Sequence, residues 1–573
     1  MESSHRRDET FQILDYVVFA GIFVISSGIG VFFAIKERKK TTSREFLVGG
    51  RQMSSGPVAL SLTASFMSAI TVLGAPSDVY RFGASFVIFS IAYTLMVMLT
   101  AELFVPVFYR SGITSAYEVV TLRFDSCCLL ISFATVKNNK TCCPHCDKNM
   151  IGGLKAVVWS DAFQMVVMVV GFLTVLVQGT KETGGLGVVW DRALNGSRLN
   201  VFNFDLDPLK RHTFWTISVG GMFTWLGIYG VNQSTIQRCI SCKSERHAKK
   251  ALYLNLLGLL VICGCAASSG IIMYAFYYNC DPWTAGYVRA PDQLMPFFVM
   301  EILGKLPGLP GLFVACAFSG TLSSVAASIN ALATVTYEDF VKNCFRNISD
   351  RAGTWMSKGL ICFCLYDAVP LSVLQAALSI HGMCGGPMLG IFSLGILFPW
   401  TNSKGAAGGL LLGVVLSFWT ALGAFVYPAP SHKTLPLPLS TAGCAPTNVT
   451  TFHSRPVPTP SLPRSTLANS WYSMSYLYYS AVGYITTVIL GLLITLFTGP
   501  TPVEDVKPWL IRPVCNIFCF WSEKYKRICW CGLEHDKEKL VRQIAHTGYN
   551  DYSMDMEQEK SHDNSGFVTE TRF

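Results

Sequence analysis

Between residues 319 and 335 the chain reads SGTLSSVAASINALATV, an apolar run of helical length crowded with oxygen donors. Ser319, Thr321, Ser323, Ser324, Ser328 and Thr334 bring hydroxyls and Asn330 an amide. On a helix Gly320, Ser323 and Ser324 fall at i, i+3 and i+4, on one face. Two chemistries fit. Small residues at such spacing let membrane helices pack closely, with hydroxyls bonded to the preceding turn. Alternatively, adjacent hydroxyls, joined by backbone carbonyls of a partner segment, supply the several oxygen ligands a hard cation requires. A second hydroxyl-rich run, GPVALSLTASFMSAITVLGAP at 56–76, offers such a partner through Ser61, Thr63, Ser65, Ser68 and Thr71. If its helix is interrupted near TASFMSA, carbonyls near Ala64 and Met67 lose their helical partners, as in the broken helices that hold ions at mid-membrane. No strong helix breaker marks that centre, so the interruption is an expectation.

The elements that must carry these groups follow from composition. Of 573 residues, 51% are hydrophobic and 14% charged, against about a quarter charged in soluble domains. This is the composition of a polytopic, all-α membrane protein. The net charge of +9 fits basic cytoplasmic loops and calls for no nucleic acid. Eleven segments reach the roughly 20 apolar residues that a span needs: 14–35, 55–76, 82–109, 155–178, 213–235, 251–277, 311–337, 359–381, 383–400, 405–427 and 474–498. Basic runs at 36–44, 237–250 and 341–351 lie on one side, which is therefore cytoplasmic. This places the N-terminal residues 1–13 outside, a transmembrane domain over 14–498 and a cytoplasmic tail over 499–573. The loop 179–212, also basic, is placed outside and dissents mildly. Sequons at Asn195 and Asn448 fall outside and are candidate glycosylation sites, whereas Asn347 falls inside. The Pro-rich stretch 428–470 reads as an irregular outer loop.

The 20 cysteines lie largely in apolar runs and form no evenly spaced framework. Cys142, Cys143, His145 and Cys146 in CCPHC are too tightly spaced for a zinc site, so no metal beyond an alkali cation is expected. In WSEKYKRICWCG (521–532), aromatic and basic residues suit the membrane interface, and Cys529 and Cys531 are free thiols or acylation sites. The final ETRF, with Thr571 and Phe573, has the form of a ligand for a PDZ-domain scaffold. No nucleotide-binding loop, acid/base constellation or filter-like ring of charges is present. Pump, enzyme and channel are therefore disfavoured.

Longer stretches carry a family resemblance. DYVVFAGIFVISSGIGVFFA, FLVGGRQMS, LSLTASFMSAITVLGAPSDVYRFG, GGLKAVVWSDAFQMVVM, GVNQSTIQRCISCKSE, APDQLMPF and PGLPGLFVACAFSGTLSSVAASINALATVTYEDF resemble the sodium/solute symporter family, nearest its low-affinity, electroneutral monocarboxylate branch. The resemblance implies a leucine-transporter-type bundle of two inverted five-helix repeats, with one extra helix before and two after. It implies sodium at the carbonyls of Ala64, Met67 and Gly320 and the hydroxyls of Ser323 and Ser324. It implies a substrate cavity lined by Phe66, Thr71, Trp225 and Tyr229, with Asn232 and Gln233 as structural amides. The implied activity is sodium-coupled uptake of small monocarboxylates such as lactate, pyruvate, short-chain fatty acids or nicotinate, without other cofactors. The implied location is the plasma membrane, at the apical face of epithelial cells. Iodide or another small anion is the alternative substrate.

The chain departs from the family between Phe124 and Gly152. Only residues 125–151 stand where two helices are expected, and their apolar part, 127–136, is too short to span. The parity of the later spans survives, but the third and fourth core helices are missing. The stretch 359–380 also looks short and carries Asp367 and Pro370. A transport-incompetent variant is therefore the rival reading.

Overall fold

The computed structural model describes residues 11–36, 49–67, 70–113, 115–124, 153–321, 374–427, 429–430, 436–444, 466–502 and 506–512. In chain order the helices are α1 (Ile13–Lys36), α2 (Ser55–Phe66), α3 (Ala75–Phe82), α4 (Phe89–Leu99), α5 (Val105–Arg110), α6 (Glu118–Arg123), α7 (Gly153–Thr183) and α8 (Leu186–Asn195). They continue as α9 (Gly221–Gly230), α10 (Gln233–Ile240), α11 (Glu245–Phe276), α12 (Leu294–Leu303) and α13 (Leu309–Thr321). The last are α14 (Leu374–Leu397), α15 (Ser403–Val426), α16 (Thr466–Ser470) and α17 (Tyr479–Thr498). Among the described residues seven helices are long and apolar enough to cross a membrane, and α2 with α3 makes an eighth span bent by 64°. No strand runs among them; one isolated bridge pairs Met53 with Cys242.

α11 is the centre of the bundle. Ser244 caps it by accepting from the His247 N–H, and Glu245 sits in its first turn, where a negative charge suits the helix dipole. Its 32 residues extend about 48 Å, and it packs on α2, α3, α4 and α7. At the other edge α14, α15 and α17 form a tight group. Gly405, Gly409 and Gly413 recur every four residues on α15, and a Cβ on each would come within 2.0–2.5 Å of Thr495, Thr487 or its backbone on α17. Backbones approach this closely only where side chains are absent.

Two of the spans drawn from sequence, 359–381 and 383–400, require revision where they are described. α14 runs unbroken from Leu374 to Leu397 through Gly382, Gly385, Gly386 and Pro387. The boundary drawn at Gly382 is absent, and the glycines serve packing. A Cβ on Gly386 would lie 2.2 Å from the Ser480 carbonyl of α17. Segments 322–337 and 359–373 lie outside the described residues, as do 125–151 with the CCPHC cluster.

Candidate functional site

The interruption expected in the second span is present. α2 ends at Phe66, and Met67 leaves helical geometry at φ −89°, ψ 73° while its N–H still bonds the Thr63 carbonyl. A helix leaves its last four carbonyls without intrahelical donors, and Ala64 belongs to that set. The chain resumes in a π turn, Ile70–Gly74, before α3. Pro76 lies in the first turn of α3, where its missing N–H costs no helical bond.

A second interruption lies where the sequence predicts a continuous span. The stretch 213–235 is a π turn at Thr216–Gly220 followed by α9, which stops at Gly230. Asn232 is extended (φ −76°, ψ 130°), and its side chain accepts from the Ser234 N–H to start α10. Gln233 Oε1 accepts from the Ala116 N–H at 2.5 Å. Both amides therefore serve structure. The signal available in the sequence was Asn followed by a polar helical turn, the usual mark of a helix start.

The two interruptions meet through aromatic rings. Phe66 lies 4.2 Å from Tyr229, Trp225 lies 6.3 Å from Tyr229, and Tyr93 stands edge-on to Trp225 at 5.0 Å. Trp225 and Tyr229 are buried, yet Trp225 Nε1 and the Tyr229 hydroxyl have no hydrogen-bond partner among the described residues. Buried donors are almost always satisfied in folded proteins, so each of these two has room in its bonding for an acceptor. Asn255 of α11 touches both interrupted helices: its Oδ1 accepts from Thr63 Oγ1 at 2.9 Å, and its amide lies by the Tyr229 hydroxyl without closing a proper bond. Thr71 is buried in the π turn, beyond the break. Ala64, Met67 and Gly320 are all buried. Ser323 and Ser324 lie just beyond Thr321 and outside the described residues.

Ser61 and Ser65 of the first interrupted helix also reach a buried ion pair that the sequence reading missed. Arg238 of α10 donates from Nη2 to Asp161 Oδ2 of α7 at 2.9 Å, with the two side chains 1% and 2% exposed. Ser61 and Ser65 of α2 join them. Arg238 donates to both hydroxyls at 2.7 Å, and both donate onward to the same Asp161 oxygen, at 2.7 and 3.2 Å. Arg238 Nη1 reaches the Ser234 hydroxyl at 2.6 Å. The clue was Asp161 alone in the apolar run AVVWSDAFQMVVMVV, since an ionisable group inside a span needs a partner.

The end of the bundle bearing Asn195 is cross-linked. Cys280 and Cys444 form a disulfide across 164 residues of sequence, a pair not expected from the cysteine pattern. It ties 436–444 to the end of α11, assisted by Asp281 N–H to Ser440 O and Gly443 N–H to Asn279 O, both at 2.9 Å. The strap also covers α3: the Leu437 N–H donates to the Arg81 carbonyl at 2.9 Å, and Arg198 donates to the Pro438 carbonyl at 2.9 Å. Asn195 itself is exposed.

His212, half-buried beside the Tyr476 hydroxyl (3.1 Å) at this same end, has its pKa pushed down to about 4 by burial and then by the Arg211 charge. The unfolded chain takes up this proton near pH 6.5, whereas the folded chain resists it. His212 should therefore cost no stability above about pH 6.5 and destabilise progressively as pH falls toward 4. Melting temperatures of the solubilised protein and of His212→Gln should converge at pH 7.5 and separate at pH 5, with the variant the less acid-sensitive. Parallel curves would contradict this.

A profile of the sodium:solute symporter family matches residues 46–138 and 149–413. The chain is 60% identical over 577 aligned residues to the Mus musculus protein named sodium-coupled monocarboxylate transporter 2, covering 93% of this chain and 91% of that one. It is 61% identical over 568 to the Homo sapiens protein of the same name, covering 92% and 91%. Since 92% of 573 residues is about 527, some forty of those 568 positions hold no residue of this chain. A solved structure of a sodium-coupled sialic acid symporter in a substrate-bound outward-open state superposes with a TM-score of 0.64 at 18% identity, over 86% of this chain and all of that one. The fold is thus the all-helical bundle of leucine-transporter type. Matched along most of its length and alike in fold, the chain belongs to the sodium:solute symporter family.

Proposed function

We propose that this chain is a sodium-coupled symporter that takes up small monocarboxylates across the plasma membrane. The observation that carries the reading is the pair of unpaired buried donors, Trp225 Nε1 and the Tyr229 hydroxyl, at the junction of two interrupted helices. The names of the 60–61% identical relatives support it. A carboxylate is the acceptor such donors lack, and a cation bound nearby offsets its charge in a low-dielectric setting. Phe66 and Thr71 complete the substrate lining in this reading. Sodium is held by the carbonyls of Ala64, Met67 and Gly320 and the hydroxyls of Ser323 and Ser324. The role is transport, not catalysis.

The disulfide Cys280–Cys444 supports an outer location for the end that also bears Asn195, because disulfides persist in oxidising compartments. The N-terminus then lies outside and the C-terminal tail inside. Asn448 and the tail residues Thr571 and Phe573, offered to glycosylation and to a PDZ scaffold respectively, lie outside the described residues.

Sodium-dependent uptake of labelled L-lactate by cells expressing this chain tests the reading. Uptake should require sodium, and Ser323→Ala with Ser324→Ala should abolish the stimulation by sodium. Trp225→Phe and Tyr229→Phe should each raise the lactate KM. The shortfall of some forty aligned positions favours one rival, a transport-incompetent variant. Uptake seen only after the missing segment is restored between 124 and 153 would establish that rival.

A further inference from the structure

At the strapped end of the bundle one arginine is held rigidly and left without an anionic partner among the described residues. Arg81 closes the last turn of α3. Its guanidinium lies over the Trp283 ring at 4.7 Å and the Phe82 ring at 5.0 Å. Its carbonyl is fixed by the Leu437 N–H of the strap. Yet its Nε is buried without a hydrogen-bond partner, and no carboxylate pairs with its fork among the described residues. Asp78, Asp281 and Asp292 attract Arg81 through space, but none forms an ion pair with it among the described residues. Asp78 pairs with Arg211 at 3.0 Å. Asp281 accepts from the Tyr80 hydroxyl at 2.6 Å and from the Thr284 N–H at 2.9 Å. Arg211 lies over the Phe82 ring at 4.3 Å and adds positive potential there. Asp292 is near enough to feel both Arg81 and Asp78 but makes no direct ion pair with Arg81. A guanidinium beside two aromatic rings and without an ion-pair partner still carries the N–H fork that matches a carboxylate.

We propose that Arg81, framed by Trp283 and Phe82, is an outer capture site for small carboxylate anions, distinct from the cavity at Trp225 and Tyr229. It rests on the symporter reading for its purpose, since it would collect the anion before the interrupted helices receive it. Capture needs no sodium, because the charge that holds the anion belongs to the protein. Asp292 opposes capture by lowering the local potential.

The test uses the full chain in nanodiscs, with Trp283 as reporter and L-lactate as probe in sodium-free buffer. Lactate should change the fluorescence of the wild type, whereas neutral L-lactamide should not. Trp283→Phe, which locates the signal, and Arg81→Gln should both abolish the response; Arg81→Lys should keep part of it. In uptake measurements Arg81→Gln should raise the lactate KM by at least about tenfold, the loss expected from one charge-assisted pair. Its maximal rate and sodium half-saturation should stay as in the wild type, and Asp292→Asn should lower the KM. A lactate response that survives Arg81→Gln overturns the site, as does a fall in maximal rate at unchanged KM. The fluorescence arm needs neither sodium nor transport, so a chain that takes up no lactate sinks the symporter reading and leaves the capture site standing or falling on its own.

Discussion

Arg238→Met should remove most of the folded protein, with a loss of about 3–5 kcal/mol. Arg238 and Asp161 are both essentially sealed from solvent. Removing the guanidinium would leave a buried carboxylate held by neutral groups such as the Ser61 and Ser65 hydroxyls. An uncompensated buried charge is what makes such a deletion costly, not the intrinsic worth of the pair. Against a typical net stability of about 5–15 kcal/mol, the loss is large. Yield and melting temperature after mild solubilisation measure it. The paired change Arg238→Met with Asp161→Leu should recover much of the stability, since it removes both charges together. A single variant that melts with the wild type would show that Asp161 finds other company or takes a proton without penalty. The network also ties α2, α7 and α10 together, so partial rescue of folding without rescue of transport is the expected outcome of the double change.

Gly311→Ala should have the second largest effect. Gly311 lies in the first turn of α13, against the N-terminal end of α1. A Cβ there would lie 2.2 Å from the Asp15 carbonyl and 2.6 Å from its Cα. The obstacle is backbone, which cannot rotate aside as a side chain would, so overpacking of about 1–3 kcal/mol is the least to expect. The same contact has a polar half. The Asp15 carboxylate, 2% exposed in a helix otherwise largely open to lipid, accepts from the N–H groups of Gly308 at 2.8 Å and Gly311 at 3.3 Å. It caps α13 from another helix, supplying acceptors to donors that the helix start leaves over. α13 leads through Gly320 toward Ser323 and Ser324. Displacing its start should therefore raise the sodium concentration needed for half-maximal uptake, and Asp15→Asn, which keeps the shape, should do so less than Gly311→Ala. Equal sodium dependence in all three proteins at matched surface level would refute this coupling.

Particular residues show how much was legible beforehand. The hydroxyl-rich run with Ser61, Thr63 and Ser65 announced an unusual helix, and that helix is interrupted at Met67. Trp225 and Tyr229 were assigned to one cavity by resemblance; the Tyr229 ring meets Phe66, and Trp225 lies against Tyr229. The second interruption, at Val231–Asn232, escapes a hydropathy reading because hydropathy averages across a break; the signal lay instead in Asn232 and the polar turn after it. In α14 the error ran the other way: two spans were drawn either side of Gly382, where one helix runs through, and glycine here marks where another backbone comes close.

Composition and hydropathy alone determined that this is a many-helix membrane protein, because a lipid-buried backbone must satisfy itself within helices and apolar length is written residue by residue. Local chemistry likewise determined which helices carry oxygen atoms that lipid would not tolerate. Only the tertiary structure decided which groups meet: Arg238 with Asp161, Asp15 with the start of α13, Cys280 with Cys444, and Arg81 with the Trp283 ring. These partners lie tens to hundreds of residues apart in sequence. A partner's charge or hydrogen bond acts over a few ångströms, and that proximity exists only once the helices have packed.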